Sequence, residues 1–103
     1  MNTLFVCKVN YTKPFSEVEK FLAEHRAYLK LGYDSNMLLA SGPRNPKDGG
    51  LIIGRFESKD SALAFAKNDP FCINNVAEYE IIEFEAVLHA KILDDFLMCD
   101  IKL

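Results

Sequence analysis

The chain of 103 residues is long enough for one compact domain and too short for two. Half of its residues are hydrophobic, 26% are charged and the formal net charge is −3, which is typical of a globular domain. A net negative charge without a basic stripe argues against a nucleic-acid partner. No apolar run approaches the ~20 residues that cross a bilayer. No secretory signal precedes the first predicted strand, so we expect a cytoplasmic protein with no membrane partner.

The chain carries none of the common cofactor or metal motifs. Cys7, Cys72 and Cys99 are an odd number at wide spacing, which suits neither a disulfide framework nor a zinc site. There is no HExxH motif, and with only two histidines a metal site would depend on carboxylates. Phosphate-binding and dinucleotide-binding glycine motifs are also missing from the sequence. We therefore expect neither a metal nor a cofactor.

The first half of the chain predicts a strand followed by an amphipathic helix. The strand covers residues 3–11, and its alternate residues give one fully apolar face, made of Phe5, Cys7, Val9 and Tyr11. Leu4 and Val6 make part of the other face apolar, so the strand needs cover on both sides. The helix is predicted to end near residue 31, with Gly32 as its C-cap and a turn over residues 34–36.

The second half predicts two strands, a helix and a last strand. The strands cover residues 37–42 and 51–56, and the proline- and glycine-rich residues 43–50 form the loop between them. Gly54 inside the third strand indicates a bulge or a close approach by another group. A helix over residues 59–67 begins after Ser58 as its N-cap. The last strand covers residues 78–87, and its alternation slips between Ile81 and Ile82, which indicates a bulge.

This order of elements predicts a ferredoxin-like α+β fold, βαββαβ, in which two helices cover one face of a four-stranded antiparallel sheet. The other face stays open and partly apolar, so we expect a homodimer. Residues 1–88 form this domain and residues 89–103 form an extension. The extension carries the apolar stripe of an extra C-terminal helix, which docks on its own domain or on a partner and could support a higher oligomer.

His25 is the first candidate for chemistry, because it interrupts the apolar stripe of the first helix three residues after Leu22 and four before Leu29. An isolated buried histidine usually has a structural role, but a histidine can also give and take a proton near neutral pH. Asp69 is the second candidate. Asp-Pro is often a simple turn. In this topology, however, the end of the second helix can approach the first helix, where a carboxylate would orient the imidazole.

The remaining candidates would shape a pocket or bind a substrate. Ser41, Gly42 and Pro43 end the second strand, where glycine allows a close backbone approach. Tyr28 could supply a phenol, although an aromatic core residue is more common. Arg44, with Lys47 in the same loop, could attract an anionic substrate, although a solvated loop is the simpler interpretation.

Three of these blocks, in this order and spacing, resemble the YciI-like family of small bacterial proteins. They are His25 with Tyr28-Leu29, then Ser41-Gly42-Pro43, then Asp69-Pro70-Phe71. The resemblance covers residues 4–87 and leaves out the tail. It implies a dimeric α+β barrel with His25 and Asp69 as the active-site pair. It also implies relatives that include a dehydrochlorinase, muconolactone isomerases and cofactor-free monooxygenases, while most family members have no assigned reaction.

Together these observations predict a small cofactor-independent enzyme of the lyase or isomerase type. His25 would transfer a proton on a small organic acid or aromatic-derived substrate, and Asp69 would orient it. Ser41, Gly42, Pro43 and Tyr28 would line the substrate site, and Arg44 would hold an anionic group. The alternative is a non-catalytic module for small-ligand binding or oligomeric assembly, since the same fold serves many functions.

Overall fold

The chain forms a four-stranded antiparallel sheet in a computed structural model that describes residues 2–102. Residues 1 and 103, at the outer ends of the two predicted ranges, lie outside the described residues. The strands are β1 (Thr3–Tyr11), β2 (Leu38–Pro43), β3 (Gly49–Gly54) and β4 (Ala77–Glu85). Their order across the sheet is β2-β3-β1-β4, and β1 pairs antiparallel with both β3 and β4.

Helices connect these strands and follow the last one. They are α1 (Phe15–Val18), α2 (Leu22–Asp34), α3 (Lys59–Lys67), α4 (Pro70–Ile73) and α5 (Asp94–Met98), with 3₁₀ turns at Glu19–Phe21 and Lys91–Leu93. The sheet order and the helix positions confirm the predicted ferredoxin-like α+β fold with an extra C-terminal helix. Over residues 2–102, none of these helices combines the length and the apolar character needed to cross a membrane.

The core lies between the helices and one face of the sheet. Alternate residues of β1, namely Phe5, Cys7 and Val9, are buried against Leu29 of α2 and Phe65 of α3. Each large side chain buried in this way contributes about 1.5–3 kcal/mol. Burial also raises the pKa of the Cys7 thiol to about 11, so Cys7 behaves as a small hydrophobic residue.

The opposite face of the sheet is open and apolar, as the pattern of β1 predicted. Val6 lies between Ile53 of β3 and Ile82 of β4, and Leu4 lies opposite Phe84. Ile82 is 45% exposed and Phe84 is 44% exposed, and both are large hydrophobic residues of the edge strand β4. The face therefore carries apolar surface that the described residues leave uncovered.

The predicted bulge in the last strand is wrong. Pairing between β1 and β4 runs without interruption from Thr3 opposite Glu85 to Tyr11 opposite Ala77. Ile81 packs against the core while Ile82 lies on the open face, so two consecutive isoleucines reflect two apolar faces rather than a shift in register. The irregularity lies in β2 instead, between Leu38 and Ala40.

Close backbone approach explains the glycines of β3. A Cβ atom on Gly54 would lie 2.7 Å from the carbonyl oxygen of Met37, which confirms the close approach predicted there. Gly49 and Gly50 belong to β3 and not to the predicted loop. A Cβ on Gly49 would lie 2.0 Å from the carbonyl oxygen of Val9, so only glycine lets this strand begin beside β1.

The first helical region is also longer and less regular than its apolar stripe indicated. It begins at Phe15, passes through the 3₁₀ turn and continues as α2 to Asp34. Gly32 lies inside α2 and is not the C-cap, which is Ser35. The missing Cβ of Gly32 makes room for the side chain of Leu38. The left-handed residue after the helix is Asn36, with φ of 65°.

The C-terminal tail docks on the domain through Arg55, the residue that follows β3. Its guanidinium donates hydrogen bonds to the carbonyl oxygens of Leu97 and Cys99 and lies 5.0 Å from the centre of the Phe96 ring. The backbone N–H of Lys102 donates to the carbonyl oxygen of Ser35 at 2.8 Å. Several apolar side chains of the same region remain exposed, namely Val87, Leu88, Ile92 and Met98.

Candidate active site

Helix α2 and the short helix α4 place the candidate pair. His25 projects from the buried face of α2 and is 9% exposed. Asp69 is fully buried and is the N-cap of α4, where its Oδ1 accepts the backbone N–H of Phe71 at 2.9 Å. Pro70 occupies the first turn of α4, a position that does not require its missing N–H. The Asp-Pro sequence therefore forms a turn and also directs a carboxylate inwards.

The structure brings His25 and Asp69 together although they are 44 residues apart. Nδ1 of His25 lies 2.8 Å from Oδ1 and 2.9 Å from Oδ2 of Asp69. An ionised carboxylate only accepts hydrogen bonds, so Nδ1 carries the proton and the lone pair of the neutral ring lies on Nε2. Nε2 of His25 makes no hydrogen bond to another residue within 2–102. Every buried side-chain nitrogen of these residues has a hydrogen-bond partner, so Nε2 is not buried and reaches solvent. Its lone pair is therefore available to accept a proton.

Tyr79 is a third member of this group that the sequence analysis missed. Its hydroxyl donates a hydrogen bond to Oδ2 of Asp69, so the carboxylate accepts from His25, Phe71 and Tyr79 together. Burial raises the pKa of Tyr79 well above its usual value, and the charge of Asp69 and this hydrogen bond raise it further. The available signal was the alternation of β4, which turns Tyr79 towards the core opposite Val9.

Aromatic stacking holds the imidazole in place. The ring of His25 lies parallel to that of Phe71, with 3.9 Å between centroids and 3° between planes. The ring of Tyr11 meets Phe71 edge-on at 6.0 Å. The hydrogen bond to Asp69 and the stacked ring therefore restrict both the position and the rotation of His25.

His25 opens onto a cavity of about 300 Å³ between α2 and the edge of the sheet. This volume is at the lower end of the range for small-molecule sites. The predicted residues Ser41, Gly42 and Pro43 line it from β2. The rest of the lining is mostly apolar and aromatic, with two cations, and includes Tyr11, Phe15, Leu22, Leu29, Ile52, Phe71, Arg26 and Lys47.

Two predicted site residues lie elsewhere. The hydroxyl of Tyr28 donates to the carbonyl oxygen of Phe65 at 2.7 Å, and burial, followed by the charges of Asp69 and Cys72, raises the pKa of Tyr28 to about 12. Tyr28 does not line the cavity.

Arg44 is occupied by the backbone of its own sheet and does not line the cavity. Its Nη1 donates to the carbonyl oxygens of Val9 and Gly50 at 3.1 and 3.0 Å, and Nη2 lies 3.2 Å from the Asp48 carboxylate. Lys47, three residues further on, does line the cavity.

The thiol of Cys72 is a poor nucleophile. Burial raises the pKa of the Cys72 thiol to about 11, and the charges of Asp69 and Glu78 add to this, so little thiolate exists near neutral pH. The described residues contain no group of three or more His, Cys, Asp or Glu side chains placed to hold a metal ion. A histidine oriented in this way can accept a proton at Nε2.

Comparisons with known proteins agree with this fold. The profile of the YCII-related domain matches residues 2–85, whereas no curated protein matches the chain. One similar structure is the 5-chloro-2-hydroxyhydroquinone dehydrochlorinase TftG from Burkholderia phenoliruptrix AC1100, in complex with 2,5-dihydroxybenzoquinone. It has a TM-score of 0.67 and 23% identity over 85% of this chain and 96% of TftG. A mutant of MhuD with two manganese protoporphyrin IX molecules per active site has a TM-score of 0.45 and 19% identity, over 85% of this chain and 97% of its own.

Proposed function

Because the chain belongs to the family of YCII-related domains, we propose that it is a small cofactor-independent enzyme in which His25 transfers a proton on a small organic substrate. The observation that carries this proposal is the buried pair of His25 and Asp69 beside a cavity of about 300 Å³. A protein needs no stacked, hydrogen-bonded histidine at a cavity wall for packing alone, because an apolar residue would fill the same place without requiring a buried carboxylate.

The proposed reaction is of the lyase or isomerase type. Nε2 of His25 accepts a proton from a C–H or O–H group of the substrate, and the electron pair of that bond stays on the substrate. In an elimination this pair forms a new double bond as the leaving group departs with its own bonding electrons. In an isomerisation the same proton returns to another atom. In both cases Asp69 stabilises the transient imidazolium and keeps Nε2 directed at the cavity.

The fold similarity to TftG motivates the choice of substrate for the test. TftG is named for removing chloride from 5-chloro-2-hydroxyhydroquinone. A substrate of this size, one ring with small substituents, suits the volume and the aromatic lining of the cavity described above. The proposal therefore covers hydroxylated aromatic compounds and small unsaturated acids or lactones.

The test is an assay of chloride release from 5-chloro-2-hydroxyhydroquinone, extended by proton NMR to solvent exchange in a panel of small unsaturated lactones. We expect His25→Gln to lower the rate about 100-fold or more, because general base catalysis contributes 10²–10⁴-fold. Asp69→Asn should cause a loss of the same order, since the amide oxygen can accept a hydrogen bond from Nδ1 but the neutral amide has no negative charge to stabilise the imidazolium.

His89→Gln is the matched control, because His89 lies near Asn2 and Asp94 and does not line the cavity. Its rate should equal that of the wild type. Circular dichroism must show that each variant is folded. A wild-type protein that turns over none of the panel, or a His25→Gln variant with an unchanged rate, would contradict the catalytic proposal.

We also propose that a second copy of the chain covers the open face of the sheet in a homodimer. The support is the exposed apolar surface of Ile82 and Phe84, which continues across Val6 to Ile53 of β3. A stable homodimer buries apolar surface of this kind. In the alternative function, a non-catalytic binding or assembly module, this contact would be the main role of the protein.

The oligomer is tested by the mass in solution of the wild type and of Phe84→Lys. We expect a dimer for the wild type and a monomer for the variant. Removing residues 90–103 tests whether the extension also supports a higher oligomer. An unchanged number of subunits would refute that role. A cytoplasmic location completes the proposal, and the three free cysteines support it, because thiols persist in a reducing compartment.

A further inference from the structure

The charged side chains that line the cavity are both cations. They are Arg26 on α2 and Lys47 in the loop between β2 and β3, and among the residues that the structure describes no carboxylate lines the cavity beside them. Asp69 lies behind the imidazole, is fully buried and faces its three donors. The cavity therefore has a positive lining in a chain whose formal net charge is −3.

These two cations are available to a ligand. Within residues 2–102, neither Arg26 nor Lys47 makes a hydrogen bond or an ion pair, and both are exposed, so they lie at the mouth of the cavity. Other cations of the chain are engaged, such as Lys30 with Asp34 at 3.2 Å and Arg55 with the carbonyl oxygens of the tail.

The charge of Arg26 acts on the groups inside the cavity. Tyr11, which also lines the cavity, has its pKa raised by burial, while the charges of Arg44 and Arg26 act in the opposite direction. A negative group of a ligand near the Tyr11 hydroxyl would be stabilised for the same reason. At the mouth, Phe15, which is 45% exposed, and the neighbouring ring of Tyr11 offer aromatic surface against which a planar ring can pack.

We propose that Arg26 and Lys47 form an anion-binding pair, so that the substrate is a small planar ring compound carrying an acidic group. This inference rests on the proposed function, because it names the substrate class of the same cavity. The acidic group is either a ring carboxylate or an ionised ring hydroxyl. The two cations approach it from different elements, α2 and the β2–β3 loop, which places the ring between them and His25.

Arg26 and Lys47 also have a role in the proton transfer. When Nε2 of His25 takes a proton from the substrate, the electron pair left behind makes the substrate more negative until the leaving group departs. Cations at the mouth stabilise this developing charge, and they do so more strongly when the ligand excludes water from the cavity. Arg26 and Lys47 are thus specificity-determining residues that also favour the forward step.

The experiment is a calorimetric titration of the full chain with benzoate, with 4-nitrophenolate and with the neutral isostere benzamide. We expect benzoate, 4-nitrophenolate or both to bind about tenfold more tightly than benzamide. This estimate follows from the strength of one charge-assisted hydrogen bond. Arg26→Gln and Lys47→Gln should each weaken anion binding about threefold, so that the double variant loses the whole preference, and should leave benzamide binding unchanged. Tighter binding of benzoate would identify a ring carboxylate as the acidic group, and tighter binding of 4-nitrophenolate would identify an ionised ring hydroxyl.

Lys67→Gln is the matched control, since Lys67 is an exposed lysine on α3 outside the cavity. Its anion affinity should equal that of the wild type. Equal affinity for anions and benzamide, or an unchanged anion affinity in the double variant, would overturn the anion-binding pair. His25→Gln separates the two proposals, because it should keep the preference for anions while it loses turnover. Anion binding without any His25-dependent turnover would refute the proposed function alone.

Discussion

The hydroxyl of Tyr79 offers a direct measure of how firmly the buried carboxylate is held. Tyr79→Phe removes one of the three donors to Asp69 and leaves those from His25 and Phe71 in place. A hydrogen bond to a charged group contributes about 1.5–3 kcal/mol. Because Asp69 is fully buried, no water replaces the lost donor without rearrangement. We expect the free energy of unfolding at pH 7 to fall by about 2 kcal/mol, which lowers Tm by roughly 8–16 °C.

This difference should shrink at alkaline pH. The unfolded chain releases the Tyr79 proton near pH 10, whereas the raised pKa keeps that proton on the folded protein. The stability due to the raised pKa is therefore complete below pH 10 and is lost as the pH rises above it. The loss is about 1.4 kcal/mol per pH unit in the wild type and is absent in Tyr79→Phe. The two proteins should become equally stable near pH ~11.5.

Urea denaturation followed by circular dichroism, repeated between pH 7 and pH 11.5, measures both effects. The control is Tyr33→Phe, which removes an exposed hydroxyl that lies 2.6 Å from Oγ of Ser41. It should change stability by less than about 1 kcal/mol. A Tyr79→Phe variant as stable as the wild type at pH 7, or a difference that does not vary with pH, would refute this reasoning.

Two further predictions concern the packing that supports the site. Gly54→Ala places a Cβ 2.7 Å from the carbonyl oxygen of Met37 and should cost about 1–3 kcal/mol in urea denaturation, whereas Gly42→Ala meets no atom within 4 Å and should be nearly neutral; equal stabilities would contradict the close approach. Arg55→Ala removes the donors to the carbonyl oxygens of Leu97 and Cys99 and should increase tryptic cleavage within the tail roughly tenfold, as followed by mass spectrometry. An unchanged cleavage rate would show that other contacts hold the tail.

Local sequence patterns were sufficient to predict the bounds of those elements that local residues determine. Strand β1 and helix α3 have the predicted bounds, because strict alternation defines the first and the N-cap Ser58 and Pro70 delimit the second. The α+β order of elements followed from the same patterns. Where consecutive residues on opposite faces are both apolar, as Ile81 and Ile82 of β4 are, alternation does not show which one faces the core, and a bulge was predicted where none exists in the pairing of β1 and β4.

The candidate site shows the same division more sharply. The amphipathic pattern of α2 placed His25 on a buried face, and the Asp-Pro sequence identified a carboxylate at the end of the other helix. Neither pattern contains the distance between them, which the sheet order sets across 44 residues. Only the tertiary structure decided that Tyr79 completes the group around Asp69.

The cations illustrate the physical reason. Composition alone could not rank Arg44, Lys47 and Arg26, since all three are charged residues near a turn or a helix surface. The folded chain engages Arg44 with backbone carbonyls of β1 and β3 and leaves the other two at the mouth of the cavity. A sequence determines which face of its own element a side chain occupies. Which partner it meets there depends on how separate elements pack, and this decided the chemistry available to His25.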